Sequence, residues 1–219
     1  MNKIALSIIM ILFVYPMQSN AADANSAAEI KSIELPKPVM EGGKPLMEAL
    51  KDRKSSREFS DEKLSLQVLS NMLWAANGIS RPDGKRTAPS ARNKQEIDIY
   101  VAMEDGLYLY DAKENKLVGI VTEDIREATG MQPFVKVAPV NLVYVADYDK
   151  MGDGASEQKD FYAAIDTGYI SQNIYLFCSS EGLATVVRGM VDRDKCKNAM
   201  KLKDNKKIIL AQTVGYPKK

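Results

Sequence analysis

Val140 to Ala146 reads VNLVYVA and carries almost no polar side chain. A strand with one wet face alternates apolar and polar residues. A near-continuous apolar run instead marks a central strand covered on both faces. This segment therefore demands a sheet with a layer packed on each side. Ile97 to Met103 alternates as a second strand, with Ile97, Ile99, Val101 and Met103 on one side. Asp105-Gly106 turns it into Leu107-Tyr108-Leu109-Tyr110 as a hairpin. Leu183–Val187 and Lys207–Gly215 read as further strands. Helical spacing predicts helices over Leu46–Lys51, from Leu46, Met47 and Leu50, and over Ser65–Asn77, from Leu66, Leu69, Met72, Leu73 and Ala76. Glu123–Thr129, Ser156–Ser180 and Arg193–Met200 complete the helices. The long one carries a stripe of Phe161, Ile165, Tyr169, Gln172, Leu176 and Ser180. The order has no regular βαβ repeat, which predicts an α+β fold, a central sheet flanked by helices.

Residues 1–21 have the pattern of a secretory signal peptide: Lys3, an apolar core from Ile4 to Tyr15, and Ser19 and Ala21 before a cut at Ala21/Ala22. The expected location is periplasmic or secreted, with no stable membrane insertion after cleavage. Polar residues 22–34 form an expected flexible tail, and residues 35–219 one domain with its own core. A net charge of +1 gives no global field for nucleic acid. The chain has no histidine, which removes Ser-His-Asp and Cys-His machinery and His-ligated metal sites. Its two cysteines, Cys178 and Cys196, cannot make a zinc site alone and read as separate buried thiols.

Three segments carry candidate chemistry. Arg53-Lys54-Ser55-Ser56-Arg57 places three cations and two hydroxyls together after a helix. Guanidinium forks match phosphate oxygens, and an extended segment points Arg53, Ser55 and Arg57 the same way. A solvated basic stretch beside Asp52, Glu58 and Asp61 is the plainer alternative. Arg86-Thr87-Ala88-Pro89-Ser90-Ala91-Arg92-Asn93 is a loop whose small residues let backbone approach a planar ligand, with Ser90 and Asn93 as polar partners. Arg188-Gly189 follows a strand in a turn that exposes backbone N–H groups, and a plain strand–helix turn capped by Asp192 is the simpler reading of that segment alone.

In their order, Leu35-Pro36-x-Pro38, Gly42-Gly43, Leu50-x-x-Arg53-Lys54-Ser55-Ser56-Arg57-Glu58-Phe59, Arg86 to Ala91, Glu96 to Val101 and Gly106 to Asp111 resemble the flavin-dependent nitroreductase family. The likeness is greatest to the branch holding SagB-type peptide azoline dehydrogenases. Asp166-x-Gly168, Gln172-Asn173-Ile174, Gly182-Leu183 and Val214-Gly215-Tyr216-Pro217 extend it, so that it covers residues 35–217. The resemblance implies a homodimer with FMN at the subunit interface. Arg53, Lys54, Ser55 and Arg57 would hold the phosphate and ribityl chain. Pro89, Ser90, Ala91 and Asn93 of the partner subunit would line the ring, and Arg188 and Gly189 would present backbone near flavin N5. Lys218 or Lys219 is a further phosphate candidate. Lys94-Gln95-Glu96 replaces the family's common Gln-Pro-Trp run, which implies a different ring environment. The implied reaction moves hydride from a small-molecule donor, NAD(P)H or one available after export, to an acceptor such as a nitroaromatic or quinone. Oxidation of a peptide-derived heterocycle, a non-catalytic flavin-binding protein and a cofactor-free scaffold are the alternatives.

Overall fold

A computed structural model describes residues 30–219. The signal peptide and residues 22–29 of the expected tail lie outside the described residues. The elements run β1 (Ile33–Glu34), α1 (Leu46–Asp52), α2 (Leu66–Asn77), β2 (Ile97–Met103), β3 (Gly106–Asp111), β4 (Lys116–Val121), α3 (Phe134–Val137), β5 (Val140–Asp147), α4 (Ser156–Glu181), β6 (Ala184–Arg188), α5 (Arg193–Ala199) and β7 (Lys206–Gly215). All seven strands form one antiparallel sheet in the order β1-β4-β3-β2-β5-β7-β6.

Every residue of β5 is buried, as its apolar run requires. Alternate side chains feed two cores. Ile97, Ile99 and Val101 of β2 join Leu142 and Tyr144 of β5 beneath α2 and α4. Tyr100, Ala102, Val143 and Val145 pack on the other face against Ile125, Val191, Cys196 and Met200. Ser65 caps α2 by accepting from Val68 N, and Leu69, Met72, Leu73 and Ala76 form its buried face. Truncating Leu73 to Ala would cost about 2–5 kcal/mol. Gly182 ends α4 in the left-handed conformation, with its N–H on Cys178 O. Both cysteines are free and buried, and burial pushes both thiols up, Cys196 to about 11. Neither is a thiolate nucleophile at neutral pH.

The structure departs from the sequence reading in six places. Ile33 and Glu34, expected in the tail, pair with Leu117 and Lys116. Strand β4 was not anticipated, nor was the short helix α3. The expected helix over Glu123–Thr129 shrinks to a 3-10 turn, Arg126–Thr129, because Asp124 Oδ1 accepts from Arg126 N and holds the preceding chain in a turn. The α4 stripe is the outer face. Phe161 is 61% exposed and Tyr169 is exposed too, while Ala163, Asp166, Thr167, Ile170, Ile174 and Cys178 face the sheet. Likewise Leu46 and Met47 of α1 are 63% and 75% exposed, and Ala49 is its buried residue. No helix among the described residues is long and apolar enough to cross a membrane.

Candidate functional site

Strand β6 is one edge of the sheet, and the chain leaving α1 runs along it. Ser56 N donates to Thr185 O at 2.9 Å, and Ser60 N donates to Tyr216 O at 2.9 Å. Just before the first tie the basic segment packs against Tyr175 of α4. The Tyr175 hydroxyl accepts from Val187 N at 3.0 Å and shares a 2.8 Å hydrogen bond with Ser55 Oγ. The Arg53 guanidinium carbon lies 5.2 Å from the centroid of the Tyr175 ring, within cation–π range. Arg53 and Ser55 therefore do point the same way. Lys54 joins Tyr175, Cys178 and Thr185 in lining an adjacent cleft of 380 Å³. Arg57 is exposed, beside the C-terminal tail, where Lys218 N donates to Glu58 O. Among the described residues none of Arg53, Lys54 and Arg57 has a carboxylate within ion-pair distance. Asp52 lines the same cleft, paired with Lys44 at 2.8 Å, and leaves Arg53, Lys54 and the Ser55 hydroxyl with exposed backbone as a candidate anion cradle.

The Pro89–Asn93 loop is built differently. Arg92, Asn93 and Gln95 all sit at positive φ, 53°, 53° and 49°. Each is a conformation that non-glycine residues adopt at a cost, so the surroundings must hold it. They do so through Gln95. Its Nε2 donates to Gly84 O at 3.1 Å and to Asn93 Oδ1 at 3.0 Å, and its Oε1 accepts from Arg86 Nε at 3.0 Å. Ser90 Oγ accepts from Gln95 N at 2.9 Å, and Ala91 N donates to Asp166 Oδ2 of α4 at 2.8 Å. Pro89 and Asn93 remain exposed, and Ser90 and Ala91 half-buried. Gln95 is thus the brace of this loop.

Arg188 is 4% exposed, and its side chain leaves the cradle for the opposite face of the sheet. Nη1 donates to Thr129 O at 2.9 Å and Nη2 to Asn141 Oδ1 at 3.2 Å. Burial pushes its guanidinium down to about 10, and Nε has no partner among the described residues. Only the backbone of this residue is available to a ligand. Gly189 is exposed, and a Cβ there would meet one atom, Leu210 Cδ2, at 3.9 Å. Two residues of strand, about 7 Å, separate it from Val187 at the Tyr175 hydroxyl.

Cradle and turn thus share the β6 edge, whereas the loop is elsewhere in the same chain. It is pinned at Asp166, nine residues before Tyr175 on α4, about 13 Å along the helix axis. The residue that sequence reasoning missed is Tyr175. An aromatic inside a long helix reads as core, and no local pattern shows that its hydroxyl reaches two other segments. Among the described residues no group of acidic or cysteine side chains could hold a metal.

A model of the nitroreductase family matches residues 50–216. A nitroreductase homologue of Methanocaldococcus jannaschii is 30% identical over 169 residues, 73% of this chain and 85% of that protein. The FMN reductase [NAD(P)H] of Bacillus subtilis is 25% identical over 158 residues, 67% of this chain; the match spans only 54% of the reductase. Among solved structures, a nitroreductase homologue from Ralstonia eutropha JMP134 superposes with a TM-score of 0.82 at 41% identity, covering 86% of this chain and 90% of that one.

Proposed function

The chain belongs to the nitroreductase family of oxidoreductases, and from that premise we propose that it is an FMN-dependent enzyme whose site is completed by a second copy of itself. The observation that carries this reading is the cradle at Tyr175, where Arg53 and Ser55 meet the ring and its hydroxyl, Lys54 lines the adjacent cleft, and neither cation has an ion-pair partner among the described residues. The donor set fits a phosphate monoester: two guanidinium forks, an ammonium and the Ser55 hydroxyl. Bound FMN would supply two-electron hydride chemistry at N5. The protein's residues bind and orient it. Arg53, Ser55 and Arg57 hold the phosphate end, and the exposed Gly189 backbone meets the ring with no side chain in the way. The absence of histidine and of a reactive thiol agrees with a reaction that needs no side-chain nucleophile.

The loop enters from the partner subunit in this reading. A ligand in one chain's cradle lies about 13 Å along α4 from that chain's own loop. The outward apolar residues of α1 and α4, with a groove lined by Val39, Met40, Trp74, Leu176 and Phe177, give the second copy a surface to cover. Isolated exposed apolar residues are ordinary, but a contiguous apolar surface beside an incomplete site fits an interface. Electron donor and acceptor are small molecules, with a nitroaromatic or quinone as acceptor. Export, read from residues 1–21, would separate the site from cytosolic NAD(P)H, so a quinol is the competing donor.

The test is the visible absorption spectrum of the purified protein before and after FMN addition and desalting. A retained oxidised-flavin band is expected, bleached by NAD(P)H or by a quinol and restored by a quinone. A folded dimer that stays colourless would overturn the proposal. Retained flavin that no donor reduces would favour a flavin-binding protein instead.

A further inference from the structure

Glu96 precedes β2 with its carboxyl fully buried, 0% exposed. Asp166 of α4, 2% exposed, lies within hydrogen-bonding reach of it. Neither Glu96 oxygen has a hydrogen-bond donor among the described residues. Asp166 Oδ2 already accepts from Ala91 N in the Pro89–Asn93 loop. Two adjacent buried carboxylates repel strongly when both are ionised, and among the described residues no cation lies within ion-pair distance of either. A single proton between them removes the repulsion and supplies the missing donor.

We infer that Glu96 and Asp166 share one proton, and that this proton holds the Pro89–Asn93 loop in its ligand-facing shape. The role of the loop toward FMN rests on the function proposed above; the proton sharing does not. Protonated Glu96 donates to Asp166, and Asp166 keeps its other contact with Ala91 N. When the proton leaves, the two carboxylates repel, and Ala91 loses its fixed acceptor. Both are positioning residues, acting on a ligand only through the loop.

The surroundings agree with a site that titrates near neutrality. Burial pushes the Glu96 carboxyl up to about 7; the nearby backbone N–H of Glu96 opposes this, the hydrogen bond and charge of Asp166 add to it, and Lys150 opposes it least. Lys150 is itself paired with Asp98 at 2.7 Å. The other charged or titratable groups facing Glu96 are Arg92 and Lys94 of the loop, Asp153 before α4, and Lys159 and Tyr162 on α4. They line a cleft of 260 Å³ that reaches Glu96 and gives its proton a way to solvent. The midpoint belongs to the pair rather than to either residue. Glu96 binds its proton more tightly in the folded state than in the unfolded chain. Its contribution is therefore full below the ordinary carboxylate value of 4.5 and is lost as pH rises through about 7.

The experiment is infrared difference spectroscopy of the purified dimer between pH 5 and pH 9, with amide exchange at Ala91 followed across the same range. Wild type is expected to lose one buried protonated-carboxyl band with a midpoint near 7, and Ala91 exchange to quicken several-fold above it. In Glu96→Gln the amide donates to Asp166 at every pH. In Asp166→Asn the amide oxygen still accepts from Ala91, and Glu96, raised by burial without the help of Asp166, should lose its proton at a lower pH than in wild type. Glu96→Gln should lack the band, and in both variants Ala91 protection should not respond to a titration near 7. FMN retention should weaken above pH 7 in wild type and not in Glu96→Gln. The same band in folded Glu96→Gln, an unmoved midpoint in folded Asp166→Asn, or no band in wild type would overturn the inference. A colourless protein that still shows the carboxyl titration would instead remove the FMN reading and leave the shared proton standing.

Discussion

Two stretches of chain are tied to α4 nine residues apart, and they are held in opposite ways. The Arg53–Arg57 segment is fastened by a few bonds, around Tyr175 and along β6, and its cations have no acidic partner. The Pro89–Gln95 loop carries few contacts to spare. Gln95, Ser90 and Asp166 cross-brace it, and three non-glycine residues are held in left-handed backbone. The first stretch has charge left for a ligand, and the second has shape. A site that needs both takes charge from one stretch and shape from the other, and in the function proposed above the two come from different chains.

Removing the charge should have the largest effect. Arg53→Ala with Arg57→Ala is expected to weaken FMN binding about 10²–10⁴-fold, for two charge-assisted contacts of about 1.5–3 kcal/mol each. The melting temperature should barely move, because neither arginine is in an ion pair; fluorescence titration and thermal unfolding check both halves. Loosening the shape comes next. Gln95→Ala removes the three side-chain bonds of the brace and should cost about 1–3 kcal/mol in stability. Its loss of FMN affinity should be smaller than that of the double arginine variant. An equal loss would erase the distinction between charge and shape.

Tyr175→Phe probes the junction. The ring stays beneath Arg53, but Val187 N loses its acceptor, at about 1–2 kcal/mol by denaturant unfolding. FMN affinity should fall several-fold as Ser55 loses its anchor. The smallest ligand effect is expected for Arg188→Met. Its side chain lies on the far face, so FMN binding should stay within about twofold even though Thr129 O and Asn141 lose a donor and stability drops by about 1–3 kcal/mol. A large loss of FMN there would mean that the guanidinium, not the backbone, serves the site.

The sheet was legible wherever side chains alternate or run continuously apolar, as in β2, β3, β5 and β7. Lys116–Val121 escaped because it is short and has Gly119 at its middle, and β1 because two residues carry no period. The α4 stripe misled for a physical reason. Its large apolar residues face outward, while the face on the sheet includes Asp166, Thr167 and Ser171, so hydrophobicity alone selects the wrong side. A helix that packs on a sheet by a partly polar face and carries large apolar residues on its outer face has no single amphipathic signature. The site residues Arg53, Ser55, Ser90 and Gly189 were read from residue type and order. Tyr175 and Glu96 were not, since their roles arise from contacts between segments distant in sequence.

The most direct measurement of the central claim, that each site joins the cradle of one chain to the loop of another, is FMN stoichiometry in a mixed dimer. One chain would carry Arg53→Ala and Arg57→Ala with an intact loop. The other would carry Pro89→Trp, a bulky block at an exposed loop position, with an intact cradle. Each variant alone should purify as a flavin-free dimer, and the co-expressed, doubly tagged heterodimer should retain one FMN per two chains. A flavin-free heterodimer, or two FMN in the Pro89→Trp homodimer, would contradict the shared site.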